Sequence, residues 1–312
     1  MPAGFWPVML TPFTPEGAID WPAYDELVEW YVRCGAAGLF SVCLSSELLH
    51  LTFAEKQALA ARAVRVARGR VPVIAAGPLG PDLATMAEET KRIAGEGVDA
   101  VVCLANQFHE GAPSSPADDA AWRRNMETWL ALVPASIRLG IYECPKPRVW
   151  NLPPDTLAWL ARTGRFHLTK DTACDTALIE QKIRLTAGGP LRFYNADATT
   201  LLPSLRVGGH GYSGIAGNYF GHLFSWLCTN HATRPAEAGE LDLFFKETNA
   251  LVHRHYMVSA KLYLGRAGLR IGPFARAAKP EVSASDLAAL DALARRVREL
   301  EEKLGLASPF LR

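Results

Sequence analysis

The chain has 312 residues, 49% of them hydrophobic and 21% charged, an ordinary composition for a globular protein. Its 33 basic and 32 acidic residues leave a formal net charge of +1. Neither sign forms a long block, which excludes an electrostatic platform for nucleic acid or an anionic membrane. No apolar run approaches the ~20 residues of a membrane span. The N-terminus lacks the charged-then-apolar order of a secretory signal, so the expected location is the cytoplasm.

Short β-like runs alternate with amphipathic helical stretches along the chain. A strand over 6–10 and a helix over 21–34 come first, followed by a strand over 38–42 that runs into Ser45-Ser-Glu47. The next helix, 54–68, opens on Thr52-Phe-Ala-Glu55, a capping box. Strand 71–76 precedes helix 82–96, with Asp82 as its N-cap. Strand 100–104 is separated from helix 118–133 by an irregular loop, Gly111-Ala-Pro-Ser-Ser-Pro-Ala117. Strand 138–143 leads to helix 154–163, where Pro153 and Pro154 suit a first helical turn. Strand 166–171, helix 175–187, strand 191–195, helix 199–206, strand 211–215 and helix 219–229 complete the alternation. Beyond residue 230 the strand signals stop, and 236–264 and 285–304 read as helices. The last carries one apolar stripe, Leu287, Leu290, Leu293, Ala294, Val297, Leu300 and Leu304, and ends at Gly305.

Strands alternating with helices predict parallel βαβ units. Eight units fit the α/β class as a (β/α)8 TIM barrel, typically ~250 residues long. An open doubly wound sheet would show a glycine-rich phosphate loop after its first strand, and Pro7-Val-Met-Leu-Thr-Pro-Phe13 is nothing of the kind. The expected organisation is a barrel over 1–230 with a C-terminal helical appendage over 231–312 packed on it.

The six cysteines (34, 43, 103, 144, 174 and 228) are scattered and never form C-x-x-C. They read as small buried hydrophobes rather than as disulfide or metal groups. His253 and His255 are two apart, which points them to different sides of a helix. No metal is implied.

Barrel chemistry lies at the C-terminal ends of the strands. The polar residues there are Ser45, Ser46 and Glu47 after strand two, and Tyr142, Glu143, Lys146 and Arg148 after strand five. Lys170 and Asp171 follow strand six, Asn195 and Asp197 strand seven, and Tyr212 and Ser213 strand eight. Phe166-His-Leu-Thr-Lys-Asp171 reads as a buried strand ending on an amine, and lysine is seldom buried without a partner. An amine in an apolar pocket has a lowered pKa, becomes nucleophilic near neutral pH and forms Schiff bases with carbonyls. The alternative is that Lys170 reaches solvent along its stem or pairs with Asp171. Tyr142, near the end of the preceding strand, is placed to move protons. The serine hydroxyls suit a carboxylate, and Glu143 has the alternative of a salt bridge to Arg148. No glycine stretch follows strand seven or eight in the usual phosphate position, since Gly208-Gly-His-Gly211 precedes strand eight.

These residues lie in a sequence that resembles the dihydrodipicolinate synthase / N-acetylneuraminate lyase family of pyruvate-type class I lyases. Val8-Met-Leu-Thr-Pro-Phe13 with Gly17-Ala-Ile-Asp20 is similar to that family's opening strand and turn. Ser41-Val-Cys-Leu-Ser-Ser-Glu47 stands in the place of its G-[ST]-T-G-E loop. Gly140-Ile-Tyr-Glu-Cys-Pro145 is similar to its Y-N-x-P segment, and Leu168-Thr-Lys-Asp171 to its G-x-K-[DE] segment. Gly208 through Asn218 resembles its glycine-rich last strand, and Met257 to Gly268, with Lys261, its helical tail. The resemblance implies Lys170 as the Schiff-base lysine and Tyr142 as the proton-relay phenol.

The departures are specific. Leu44 stands at the first hydroxyl position of the strand-two loop, leaving Ser45 as the match, and Ser46 replaces a glycine. In the synthases the missing hydroxyl links the tyrosine to a second tyrosine from a neighbouring subunit, and here that segment offers Phe108. Pro147 stands where the synthases place an arginine for the second substrate's carboxylate, flanked by Lys146 and Arg148.

The expectation is a lysine Schiff-base lyase acting on pyruvate or another 2-keto acid, by aldol cleavage, condensation or dehydration of a keto-sugar acid. Lys170, Tyr142 and Ser45 are its catalytic residues. Ser45, Ser46, Ser213, Asn195, Glu143 and Arg148 are its substrate-binding residues. The protonated imine is the electron sink, so no cofactor is expected. The alternatives are synthase-like condensation of pyruvate with an aldehyde, and a catalytically silent keto-acid-binding relative. Family resemblance implies a homo-oligomer, a tetramer or a dimer.

Overall fold

Eight strands, β1 (Gly4–Phe5), β2 (Leu39–Val42), β3 (Val73–Ala76), β4 (Ala100–Leu104), β5 (Leu139–Tyr142), β6 (Phe166–Asp171), β7 (Arg192–Asn195) and β8 (Gly211–Tyr212), pair in parallel in the order β1-β8-β7-β6-β5-β4-β3-β2. The computed structural model describes residues 1–109, 115–277 and 279–310. The two ends of that order meet through the segment after β1. Val8 bridges Phe40 of β2, Met9 N–H donates to the Phe40 carbonyl at 3.1 Å, and Phe40 N–H donates to the Pro7 carbonyl at 3.1 Å. The result is a closed (β/α)8 barrel. Its outer helices follow the strands in turn: α1 (Trp21–Arg33), α2 (Phe53–Ala67), α3 (Leu83–Gly95), α4 (Pro116–Leu132), α5 (Pro154–Arg162), α6 (Thr176–Thr186), α7 (Leu201–Arg206) and α8 (Gly217–Asn230). The capping box at Thr52 and Glu55 and the N-cap at Asp82 are both formed.

Several expected elements end elsewhere. The first strand is not continuous over 6–10. Trp6 and the residues before it bond to β8, whereas Pro7 and Val8 face β2. Proline has no N–H for a ladder, so the segment changes partner at Pro7. The last strand ends at Tyr212 rather than at 215. There the chain is pinched: a Cβ on Gly211 would lie 1.9 Å from the Gly4 carbonyl oxygen. Of the irregular loop over 111–117, residues 111–114 lie outside the described residues.

The expected helix over 236–264 is two helices, α9 (Pro235–His253) and α10 (Val258–Arg266). Between them His255 takes a left-handed φ of 55°, and Ser259 Oγ donates to the Arg254 carbonyl at 2.7 Å. No glycine or proline marks this break. Bonds to α8 hold it, with Asn218 Nδ2 donating to the Tyr256 hydroxyl at 2.7 Å and the Tyr219 and Ser259 hydroxyls meeting at 2.8 Å, and sequence periodicity does not report such bonds. The final helix, α11 (Ala284–Leu304), buries Leu290, Leu293, Val297 and Leu304, and Gly305 closes it at φ 69°. α9 packs on α7 and α8, while α10 packs on α8 and α11. A stack of rings fastens this region to the barrel. Tyr212 of β8 lies 3.9 Å, centroid to centroid, from Phe224 of α8, which lies 4.1 Å from Phe245 of α9. Such pairs contribute about 0.5–1.5 kcal/mol each beyond their buried area.

Candidate active site

A cavity of about 550 Å³ opens at the C-terminal ends of the strands, and Ser45, Tyr142, Lys170, Asp197 and Tyr256 are among its lining. Strand pairing sets its chemistry. Lys170 is opposite Tyr142 in the β5–β6 register, so the two side chains leave neighbouring strands at one level. The Lys170 amine lies 4.2 Å from the centre of the Tyr142 ring and 5.7 Å from that of Phe40. Lys170 is 4% exposed, and among the described residues no carboxylate is bonded to it. Burial pushes its pKa down from 10.5 to about 8, while the thiols of Cys43 and Cys144 act weakly upward. The alternative of a pair with Asp171 is not realised: the Asp171 carboxylate turns away to Lys182 at 2.5 Å. Burial drives the Tyr142 phenol well above its ordinary value of 10, with the Cys144 and Cys43 thiols adding to the rise. Tyr142 therefore keeps its proton at neutral pH and can donate it.

Ser45 reaches the cavity from the short helical turn after β2, and its Oγ accepts the Tyr256 hydroxyl at 2.8 Å. Leu44 lines the cavity beside it. Glu47 also touches the cavity, but its carboxylate is spent on Lys261 at 3.2 Å and on the N–H groups of Arg276 and Ala277 at 2.6 and 2.7 Å. Lys261 thus anchors the strand-two loop to the C-terminal region.

The other expected substrate-binding residues are not in the lining. Ser46 Oγ donates to the Met9 carbonyl at 2.6 Å and accepts Cys43 N–H at 3.1 Å, which shapes the loop that presents Ser45. Asn195 Nδ2 donates to Thr200 Oγ1 at 2.9 Å, and its Oδ1 accepts Asp197 N–H at 2.8 Å. Ser213 is buried, with its N–H on the Asn195 carbonyl at 2.8 Å. Arg148 donates to the carbonyls of Asn106 and His109, so it knits two loops, and Lys146 is the flanking cation that lines the cavity. Glu143 neither lines the cavity nor pairs with Arg148. Its carboxylate accepts Lys182 at 2.6 Å and Leu152 N–H at 2.9 Å inside the wall. Burial first, then repulsion from Asp171, pushes Glu143 upward, because one ammonium serves two carboxylates there.

The sequence reading missed Tyr256, His50, His253 and Thr172 in the lining. Tyr256 lies in the unmarked helix break, where periodicity gives no orientation. Phe108 is buried in its own chain, its ring 5.6 Å and 5.3 Å from those of Trp122 and Trp129.

The model of the dihydrodipicolinate synthetase family matches residues 1–295. The chain belongs to that family. A 4-hydroxy-tetrahydrodipicolinate synthase of Maridesulfovibrio salexigens is 27% identical over 244 residues, 78% of this chain and 80% of that one. The synthase of Shewanella frigidimarina is 24% identical over 235 residues, 74% of this chain and 76% of its own length. Among solved structures, the Escherichia coli prophage protein YagE in complex with pyruvate superposes with a TM-score of 0.83 at 20% identity, covering 95% of this chain and 98% of YagE. CdNal of Clostridium difficile, in complex with mannosamine, gives 0.81 at 19%, covering 95% and 99%. These structural likenesses establish the TIM-barrel fold. By its family the chain is a lyase of the class I, Schiff-base-forming type that uses pyruvate or another 2-keto acid. Among the described residues no helix is long and apolar enough to cross a membrane.

Proposed function

We propose that Lys170 forms an imine with C2 of a 2-keto acid, after which the C3–C4 bond is broken or made, or a C3 proton and the C4 hydroxyl leave as water. The observation that carries this reading is the buried Lys170 amine, bonded to no carboxylate among the described residues, beside the Tyr142 ring in the barrel mouth. The neutral amine adds to the C2 carbonyl. Tyr142 supplies the proton with which the carbinolamine oxygen leaves as water; the protonated imine then takes up the electron pair left at C3 when the C3–C4 or C3–H bond breaks, and the Tyr142 phenolate receives the proton released from the C4 hydroxyl or from C3. Ser45 holds the keto acid's carboxylate. Lys146, His50 and Asp197 are also in the lining and suit the polar remainder of a longer keto acid. Leu44, Phe108 and Pro147 speak against synthase-like condensation, which remains the second reading because the curated relatives are synthases.

Residues 231–312 act as part of this catalytic unit, since Tyr256 and Met257 reach the cavity from them. The six free cysteines fit a reducing, cytoplasmic setting, and the family relationship supports a homo-oligomer. The test needs no second substrate. An imine of pyruvate tautomerises to its enamine and exchanges the C3 protons, so the protein in D2O should deuterate pyruvate, read by proton NMR, and Lys170→Ala should not. Exchange at the buffer rate with the wild-type chain would overturn the reading for pyruvate-type chemistry.

A further inference from the structure

Asn218, at the start of α8, is fixed from both ends. Its Nδ2 donates to the Val8 carbonyl at 3.0 Å, and a carbonyl only accepts, so that end of the side chain is the NH2. Its Oδ1 accepts the Tyr31 hydroxyl, whose oxygen accepts Leu10 N–H at 3.2 Å. The second Nδ2 proton goes to the Tyr256 hydroxyl oxygen at 2.7 Å. With its oxygen accepting, the Tyr256 phenol has its own proton to give, and gives it to Ser45 Oγ at 2.8 Å. Two backbone groups of the segment after β1 therefore dictate the direction of every bond from Asn218 to the cavity. Ser45, which lines the cavity, thus accepts from Tyr256 and keeps its own proton to give, and among the described residues no hydrogen bond takes that proton.

We propose that Tyr256 is a positioning residue that holds Ser45 as a hydrogen-bond donor toward the keto acid's carboxylate, so that the polar end of the site is completed within one chain. The inference rests on the Schiff-base reading above. Where family resemblance calls for a hydroxyl and a neighbour's phenol, this chain has Leu44 in the lining and Phe108 locked between its own tryptophans. A serine hydroxyl left to rotate presents its lone pairs to an anion part of the time. A charge-assisted bond held in place strengthens binding by roughly tenfold to a hundredfold.

The test is a double-mutant cycle on deuterium exchange into pyruvate, with wild type, Tyr256→Phe, Ser45→Ala and the double variant. Tyr256→Phe keeps the ring, and Asn218 keeps its bond to Val8, so the fold is expected to persist, with a melting temperature lowered by the one buried Nδ2 proton left without its acceptor. The half-saturating pyruvate concentration should rise about tenfold in Tyr256→Phe with the maximal exchange rate within about threefold. In the Ser45→Ala background the same substitution should change it less than about twofold. Equal effects in both backgrounds, or none in the wild type, would overturn the role given to Tyr256 while leaving Lys170 in place. Loss of exchange in the wild type itself would overturn both. Should Tyr256→Phe not fold, Tyr256→His is compared across the two Ser45 backgrounds by the same criterion.

Discussion

Replacing Lys170 by methionine should stabilise the fold and abolish its chemistry. Methionine has about the reach of the lysine stem and suits the aromatic surroundings of Phe40 and Tyr142. In the unfolded chain the amine titrates near 10.5, whereas burial lowers it to about 8 in the folded chain. The unfolded state thus binds the extra proton between those values, and the amine costs stability at lower pH. The difference corresponds to about 3 kcal/mol at pH 7 and below, falling under about 1 kcal/mol at pH 10. Urea denaturation of parent and Lys170→Met at both pH values measures it, with groups common to the two proteins cancelling in the difference. A gain of about 2–3 kcal/mol at pH 7 that shrinks by pH 10 is expected. A variant less stable than its parent at pH 7, or a difference that does not vary with pH, would refute a desolvated, unpaired amine.

Tyr142→Phe keeps the ring beside Lys170 but removes the proton donor. Deuterium exchange into pyruvate should fall by about a hundredfold or more, while borohydride still traps an adduct; exchange within threefold of wild type would remove Tyr142 from the relay. Lys182→Ala leaves Glu143 and Asp171 buried together without their cation, and should cost about 3–5 kcal/mol in urea denaturation. That loss should lessen as the pH falls from 8 toward 5 and the stranded carboxylates take up protons; a loss independent of pH would contradict the pairing. Gly211→Ala places a Cβ on the Gly4 carbonyl oxygen and should cost about 3 kcal/mol or more by separating β1 from β8. A cost below 1 kcal/mol would show that the seam of the barrel yields.

The barrel was legible in the sequence because its signals are local. Alternating strand and helix patterns, the Thr52 box, the Asp82 cap and the Gly305 stop each act within a few residues. β4 and β6 were legible to the residue, being apolar runs with strong boundaries. The break before α10 was not legible, because bonds from Asn218 and Tyr219 of α8 to Tyr256 and Ser259, some forty residues away in the chain, hold it. The site divided along the same line. Position at a strand end brought Lys170, Tyr142 and Ser45 to one cavity, but position alone could not tell which neighbours face inward. Glu143 and Ser46 lie next to residues of the lining, yet their polar atoms satisfy the wall: a buried lysine in one case, a backbone carbonyl in the other. Tyr256 illustrates the converse, a cavity residue far along the chain whose place depends on a turn that no residue type announces.

The most direct measurement is the intact mass of the protein after incubation with pyruvate and borohydride, followed by peptide mapping. A single reduced pyruvate adduct on the peptide that carries Lys170, absent in Lys170→Ala, is the predicted result. An adduct on another lysine such as Lys146, or an equal adduct in Lys170→Ala, would contradict the account.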